Sequence, residues 1–264
     1  MVEDKGARGP QADGERLAAH LSRWLADEFR SRQARAAVVN LSGGIDSAVV
    51  CALCVRALGP GSVFTLAVPI HSAPEDAEDA LRVARAFGVE IRVVDLSAVA
   101  DALLAALGPT VATQRLAAAN IRPRLRMVAL YAEAASRGAL VVGTGNRDEL
   151  AVGYFTKYGD GGVDLLPLGN ATKGEVRALG RALGVPQRIL DRVPTAGLWQ
   201  GQTDEGELGF TYDDLDRYLL TGEGAPALRE RVEALRRAAR HKLAMPPMAP
   251  PLPAPGASEG QAGA

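Results

Sequence analysis

The sequence predicts an α/β fold: a doubly wound, mainly parallel sheet with helices on both faces, followed by a helical C-terminal part. Three observations carry this. Four short apolar runs, at 36–41, 63–68, 91–94 and 139–143, are near-continuous rather than alternating, which suits strands covered on both faces. Apolar residues at helical spacing separate these runs, and strands that alternate with helices imply parallel pairing. Glycine stops such as Gly59-Pro60 and Gly88 punctuate the alternation.

The elements follow in order. Residues 1–13 are polar and read as a disordered leader, and residues 14–244 as one domain. Leu17, Leu21, Trp24, Leu25 and Phe29 place a first amphipathic helix over 15–29. The run 36–41 stops at Ser42-Gly-Gly, and Ile45 to Leu58 reads as a helix. After the second strand, Ser72-Ala-Pro-Glu75 has capping-box spacing and opens a helix to Phe87. The third strand precedes a helix over 96–107, and a long helix is expected over 113–136, kinked or broken by Pro123. Beyond residue 150 come a loop rich in aromatic and glycine residues, then helices near 173–183, 212–220 and 226–242. Residues 245–264 are rich in Pro, Ala and Gly and read as a flexible tail.

A net charge of −1 gives no general attraction to nucleic acid or anionic membrane. No secretory leader and no uncharged apolar run of bilayer length is visible, so a soluble cytoplasmic protein is expected. Cys51 and Cys54 lie a turn or more into an apolar helix, where small buried hydrophobes fit better than a redox pair. The three histidines show no metal spacing.

Ser42-Gly-Gly-Ile-Asp-Ser47 follows a strand and opens a helix. Gly43 and Gly44 let the backbone approach an anion, the hydroxyls of Ser42 and Ser47 donate to it, and the helix N-terminus favours negative charge. Ser and Asp also cap ordinary helices, but capping needs no Gly-Gly between two serines. The Lys of the commonest phosphate loop is missing. Asp46 would repel polyphosphate unless a divalent cation such as Mg²⁺ lay between them, so the loop implies a metal-bound triphosphate and a second carboxylate. Glu149, in Gly143-Thr-Gly-Asn-Arg-Asp-Glu149 after the fourth strand, is the candidate; a capping role with Asn146 fits its spacing equally. Lys173 stands in the first turn of a helix, a position the helix dipole disfavours unless the side chain faces an anion. Thr195 and Trp199 carry no signal of their own.

The Ser42–Ser47 loop resembles that of the PP-loop ATP pyrophosphatases, which share the adenine-nucleotide alpha-hydrolase-like fold. Asn120-Ile-Arg-Pro-Arg-Leu-Arg-Met127, Gly143-Thr-Gly-Asn146, Gly153-Tyr-Phe-Thr-Lys-Tyr-Gly-Asp-Gly-Gly162, Asp164-Leu-Leu-Pro-Leu168 and Gly201-Gln-Thr-Asp-Glu205 resemble the NAD synthetases. The likeness runs from about Glu15 to Lys242, with Pro123 standing where small residues are usual and Val68–Ser72 matching poorly. It implies that Ser42, Gly43, Gly44, Ile45, Asp46, Ser47, Thr144, Lys173 and Thr195 hold ATP, and that Asp46 and Glu149 ligate Mg²⁺. Asp46 and Lys173 would be the catalytic pair. Asn120, Arg124, Tyr154, Lys157, Asp160, His241 and Lys242 would contact deamido-NAD. The implied reaction is ATP-dependent amidation of deamido-NAD with ammonia through an NAD-adenylate, releasing AMP and pyrophosphate. The implied assembly is a homodimer. The segment outside the synthetase region is too short for an amidase domain, so free ammonia is the expected donor and a separate glutaminase subunit is not indicated. Another PP-loop adenylating synthetase and a non-catalytic ATP-binding module are the competing classes.

Overall fold

Helix α1 (Pro10–Ser31) opens the computed structural model, which describes residues 10–194 and 203–252. It begins five residues before the expected Glu15. Gly14 lowers the local helix propensity, but it is where α1 crosses a later helix: a Cβ there would stand 2.6 Å from the Ala178 carbonyl oxygen.

Strand β1 (Ala37–Asn40) leads into α2 (Ile45–Leu58), and β2 (Val63–Ala67) into α3 (Pro74–Phe87). The expected capping box at Ser72 does not form. Ala73 is the N-cap, and the Ser72 hydroxyl instead accepts from the Ile70 N–H at 3.2 Å. Strand β3 (Glu90–Val93) is followed by α4 (Ser97–Leu107), α5 (Pro109–Ala112), α6 (Arg115–Ala119) and α7 (Ile121–Arg137). The single long helix expected over 113–136 is thus two helices that meet at Asn120. Pro123 is the third residue of α7, where its missing N–H costs no helical bond. Strand β4 (Leu140–Val142) precedes α8 (Arg147–Val152), α9 (Lys173–Ala182), α10 (Gln187–Leu190), α11 (Asp204–Leu208), α12 (Tyr212–Thr221) and α13 (Pro226–Leu243).

The four strands are parallel in the order β3-β2-β1-β4. Their side chains alternate between two cores. Ala37, Val39 and Val142 face α1, α2 and α9, while Val38, Leu66 and Val141 face α7. A third apolar cluster, built on Val152, Leu208, Leu215, Leu228 and Val232, joins α8 to the C-terminal helices. The order reverses at β1, whose neighbours lead away in opposite directions. The register Ala37↔Leu140 brings the loops after β1 and β4 side by side at the carboxyl ends, where such sheets bind ligands.

Candidate active site

The loop after β1 is held by its own serines. The Ser47 hydroxyl donates to the Gly44 carbonyl at 2.9 Å and accepts from the Ser42 N–H at 3.3 Å. Gly43 adopts φ +80°, and a Cβ on it would stand 2.7 Å from the Asp76 carbonyl oxygen, so only glycine suits this turn. No side chain caps α2, whose N-terminus opens onto the cleft, whereas α8 and α9 each carry a complete capping box. Of these three helix starts, the uncapped one carries the anion-binding sequence.

A cleft of about 190 Å³ is lined by Ser42, Gly44, Ile45, Asp46, Ser47, Thr144, Glu149 and Lys173. Gly43 lies behind this wall and supplies the bend. Residues a hundred or more positions apart meet here: Lys173 Nζ donates to Asp46 Oδ2 at 2.6 Å, and Asn146 Nδ2 donates to Asp46 Oδ1 at 2.9 Å. The Lys173 side chain is 2% exposed. Burial pushes its ammonium down, but Asp46 and Glu149 push it up further, and the group ends above its ordinary value. The lysine that looked misplaced at a helix start therefore faces an anion of the protein itself. Burial, then the charge of Asp46, holds the Glu149 carboxyl well above the usual carboxylate range. Glu149 caps α8, accepting from the Asn146 N–H at 3.0 Å, and this capping role leaves it lining the cleft. Thr195 and Trp199 lie outside the described residues.

A second cavity of about 350 Å³ adjoins the first and is lined by Asn120, Arg124, Tyr154, Lys157, Asp160, His241 and Lys242. Tyr154 and Asp160 border both spaces. The segment 153–162 is shaped by contacts with α7 and α13. Thr156 donates its hydroxyl to Asn120 Oδ1 at 2.9 Å and its N–H to Asp160 Oδ1 at 2.9 Å. Burial raises the Asp160 carboxyl above its usual range. Lys157 Nζ donates to the His241 carbonyl at 2.5 Å, while Lys242 Nζ donates to the Gly153 and Phe155 carbonyls, each at 2.7 Å. Both lysines thus tie the loop to α13 from opposite sides.

Sequence reasoning missed several participants. Arg192 pairs with Asp76 and with Asp79, and its guanidinium stands against Gly43 behind the loop; no local pattern marks it. Asn146 was visible as a cap, and its second bond to Asp46 was not. Burial and the neighbouring Asp216 push the Asp148 carboxyl up to about 7. Val68 and Ser72, unassigned from sequence, flank a smaller hollow beside Ser42, where Arg126 donates to the Val68 carbonyl at 3.0 Å.

This arrangement has close counterparts. The family model described as NAD synthase matches residues 17–246. The chain is 49% identical over 228 residues to the NH3-dependent NAD(+) synthetase of Carboxydothermus hydrogenoformans, covering 86% of this chain and 93% of that protein. The structure of NMN synthetase from Francisella tularensis superposes with a TM-score of 0.85 at 36% identity, covering 90% of this chain and 99% of the other. The NAD+ synthetase of Burkholderia pseudomallei gives 0.71 at 33% identity, covering 90% and 93%. With an uncapped phosphate-type loop facing Lys173 and Glu149, and with a match that spans both cavities, the chain belongs to the NAD synthase family.

Proposed function

We propose that this chain catalyses ATP-dependent amidation of deamido-NAD to NAD with ammonia, through an NAD-adenylate, releasing AMP and pyrophosphate. The observation that carries the reading is the convergence of Asp46, Glu149 and Lys173 on the uncapped N-terminus of α2, beside a second cavity reached past Tyr154 and Asp160.

The triphosphate end of ATP sits against the α2 N–H groups and the Ser42 and Ser47 hydroxyls, with Thr144 and Lys173 lining the same cleft. The nicotinate carboxylate arrives from the second cavity, where Asn120, Arg124, Lys157, His241 and Lys242 bind the dinucleotide. Its oxygen attacks the α-phosphorus, pyrophosphate departs, and ammonia then displaces AMP from the activated carbonyl. Lys173 stabilises charge on the departing pyrophosphate. Thr195 is assigned the phosphate contact that the family resemblance implies. Positioning and electrostatics carry such a reaction, and no dedicated base is required.

The donor set fits Mg²⁺. Asp46 and Glu149, on separate elements, face one cleft and would hold the ion, whose charge would offset the burial and the Asp46 repulsion that raise the Glu149 carboxyl. When bound, Mg²⁺ would neutralise phosphate charge as ATP is cleaved.

Ammonia enters as such. Cys51 and Cys54 are buried, and burial pushes both thiols up, Cys51 to about 12, so neither is a nucleophile for a glutamine amide. A homodimer is supported by α4, which is apolar at all positions but Ser97 and Asp101 yet buries only Ala100, leaving Val99, Leu103 and Leu107 exposed. The domain proposed over 14–244, which α1 carries back to Pro10, is followed by a tail. Among the described residues no helix is long and apolar enough to cross a membrane; the proposed location is the cytoplasm.

The test is pyrophosphate release with Mg-ATP, ammonia and either deamido-NAD or nicotinate mononucleotide, the second because a structural neighbour is an NMN synthetase. Turnover with deamido-NAD is expected. Preference for the mononucleotide would overturn the substrate, and absence of turnover with both would overturn the reaction.

A further inference from the structure

Every N–H group at the start of α9 has a partner. Thr172 and Glu175 exchange capping-box bonds, the Thr172 N–H reaching Glu175 Oε2 at 2.8 Å. The next two donors go to carboxylates from other elements: the Lys173 N–H to Asp148 Oδ2 at 2.6 Å, and the Gly174 N–H to Asp216 Oδ2 at 2.7 Å. Asp148 belongs to α8 and Asp216 to α12. The remaining oxygen of each, Oδ1, is buried with no hydrogen-bond donor on it. Two enclosed carboxylates are a costly way to end a helix when one serine or asparagine side chain suffices. Gly174 records the closeness of this contact, since a Cβ there would lie 2.7 Å from Asp216 Oδ2. Helix α12 also touches the lysine itself, because Lys173 Nζ stands 5.1 Å from the centroid of the Tyr212 ring.

We infer that Asp216 is a positioning residue for the adenylation step: by holding the Gly174 N–H it fixes the first turn of α9, so that Lys173 reaches the phosphate cleft at Asp46. Helix α12, from the C-terminal part and remote from the sheet, thereby sets the placement of the charge that the loop after β1 lacks. The carboxylate acts through the backbone and touches no substrate. This inference rests on the role proposed for Lys173.

The experiment measures kcat and KM for pyrophosphate release in Asp216→Ala, Asp216→Asn and Gly174→Ala, with and without Lys173→Met, and follows folding by thermal melting. Asp216→Ala is expected to lower kcat about 100-fold, the cost of a misplacement near 1 Å, with KM for deamido-NAD little changed. Asp216→Asn keeps an acceptor for the Gly174 N–H and recovers most of that loss. In the Lys173→Met background Asp216→Ala adds no further loss, because the two act as one unit. If Asp216→Ala does not fold, Gly174→Ala decides through the same kcat loss. Normal kcat in folded Asp216→Ala or Gly174→Ala, or an equal further loss without Lys173, overturns the inference. Full turnover of Lys173→Met alone would instead remove the role proposed for the lysine.

Discussion

Replacing Asp46 by Asn tests the site most directly. Both carboxylate oxygens are acceptors in use, one from Lys173 Nζ at 2.6 Å and one from Asn146 Nδ2 at 2.9 Å. An asparagine has a single acceptor oxygen, so its NH₂ group must point at another donor whichever way the amide turns. Removing one partner of a buried ion pair costs about 3–5 kcal/mol. Two features reduce that here: the Asp46 side chain is 18% exposed, and Glu149 still faces the ammonium. The expected loss is about 2–3 kcal/mol, or a fall in Tm of about 5–10 °C for a chain of this size. Turnover should suffer far more, by about 1,000-fold in kcat/KM for pyrophosphate release, because the proposed cation ligand and the anchor of Lys173 go together. The double variant Asp46→Asn/Lys173→Met separates the effects. With no unpaired ammonium it regains part of the lost stability, and it stays inactive. An Asp46→Asn protein with turnover within about tenfold of the parent would refute the account of the cleft. A double variant less stable than Asp46→Asn would refute the account of the ion pair.

Three more outcomes follow from the same geometry. Gly43→Ala should destabilise the fold by about 2 kcal/mol or more and abolish ATP-dependent turnover, since φ +80° and the Asp76 carbonyl both exclude a Cβ; Gly44→Ala, whose Cβ would meet only Ser42 Oγ at 3.4 Å, should fold normally in the same urea titration. The pKa of Asp160 is raised on folding by burial, so its contribution to stability is complete below the unfolded carboxylate pKa and is lost as pH rises through the folded value. Urea unfolding across pH should show that decline in the parent, and Asp160→Asn should remove it; an unchanged slope would count against the burial of this carboxyl. Cys51 and Cys54 should not react with a thiol reagent at neutral pH until the chain unfolds, and rapid labelling of the folded protein would contradict their enclosure.

What the sequence revealed, and what it hid, divides by range. Helix α2 and strand β1 were legible because a buried run ends at Ser42-Gly-Gly and a second apolar run begins at once. The start of α1 was not, because the penalty of Gly14 is local, and the compensating approach to Ala178 belongs to an element more than 160 residues away. Ser72 had the spacing of a cap, but its hydroxyl was taken by the Ile70 N–H across His71, a residue at φ +50°. The same distinction holds in the cleft. Ser42–Ser47, Glu149 and Lys173 each carry a local oddity, whether a glycine pair, a cap or a charge against the dipole. Arg192, Asp148 and Asp216 carry none: Arg192 gains its role only where its segment meets α3, and the two aspartates only when α8, α9 and α12 are packed together.

The lysine missing from the loop explains why the site is divided among several elements. Burial works against the charge of a lysine as enclosed as Lys173, and Asp46, then Glu149 and Asp204, keep it protonated. Those carboxylates in turn would repel each other and any polyphosphate without the ammonium between them. A cation placed in the loop itself, at position 47, would remove the hydroxyl that closes the turn onto Ser42 and Gly44. Carrying it on α9 leaves that hydroxyl to close the turn and the α2 N-terminus open to an anion. The arrangement also makes the charge of the cleft depend on how α9 seats against α1 and α2, where Gly14 and Gly180 permit close contact. Loosening either crossing would move the ammonium away from Asp46 without touching a residue of the loop. The charge state suited to adenylation is thus a property of the packed chain, and a peptide carrying the loop alone would not possess it.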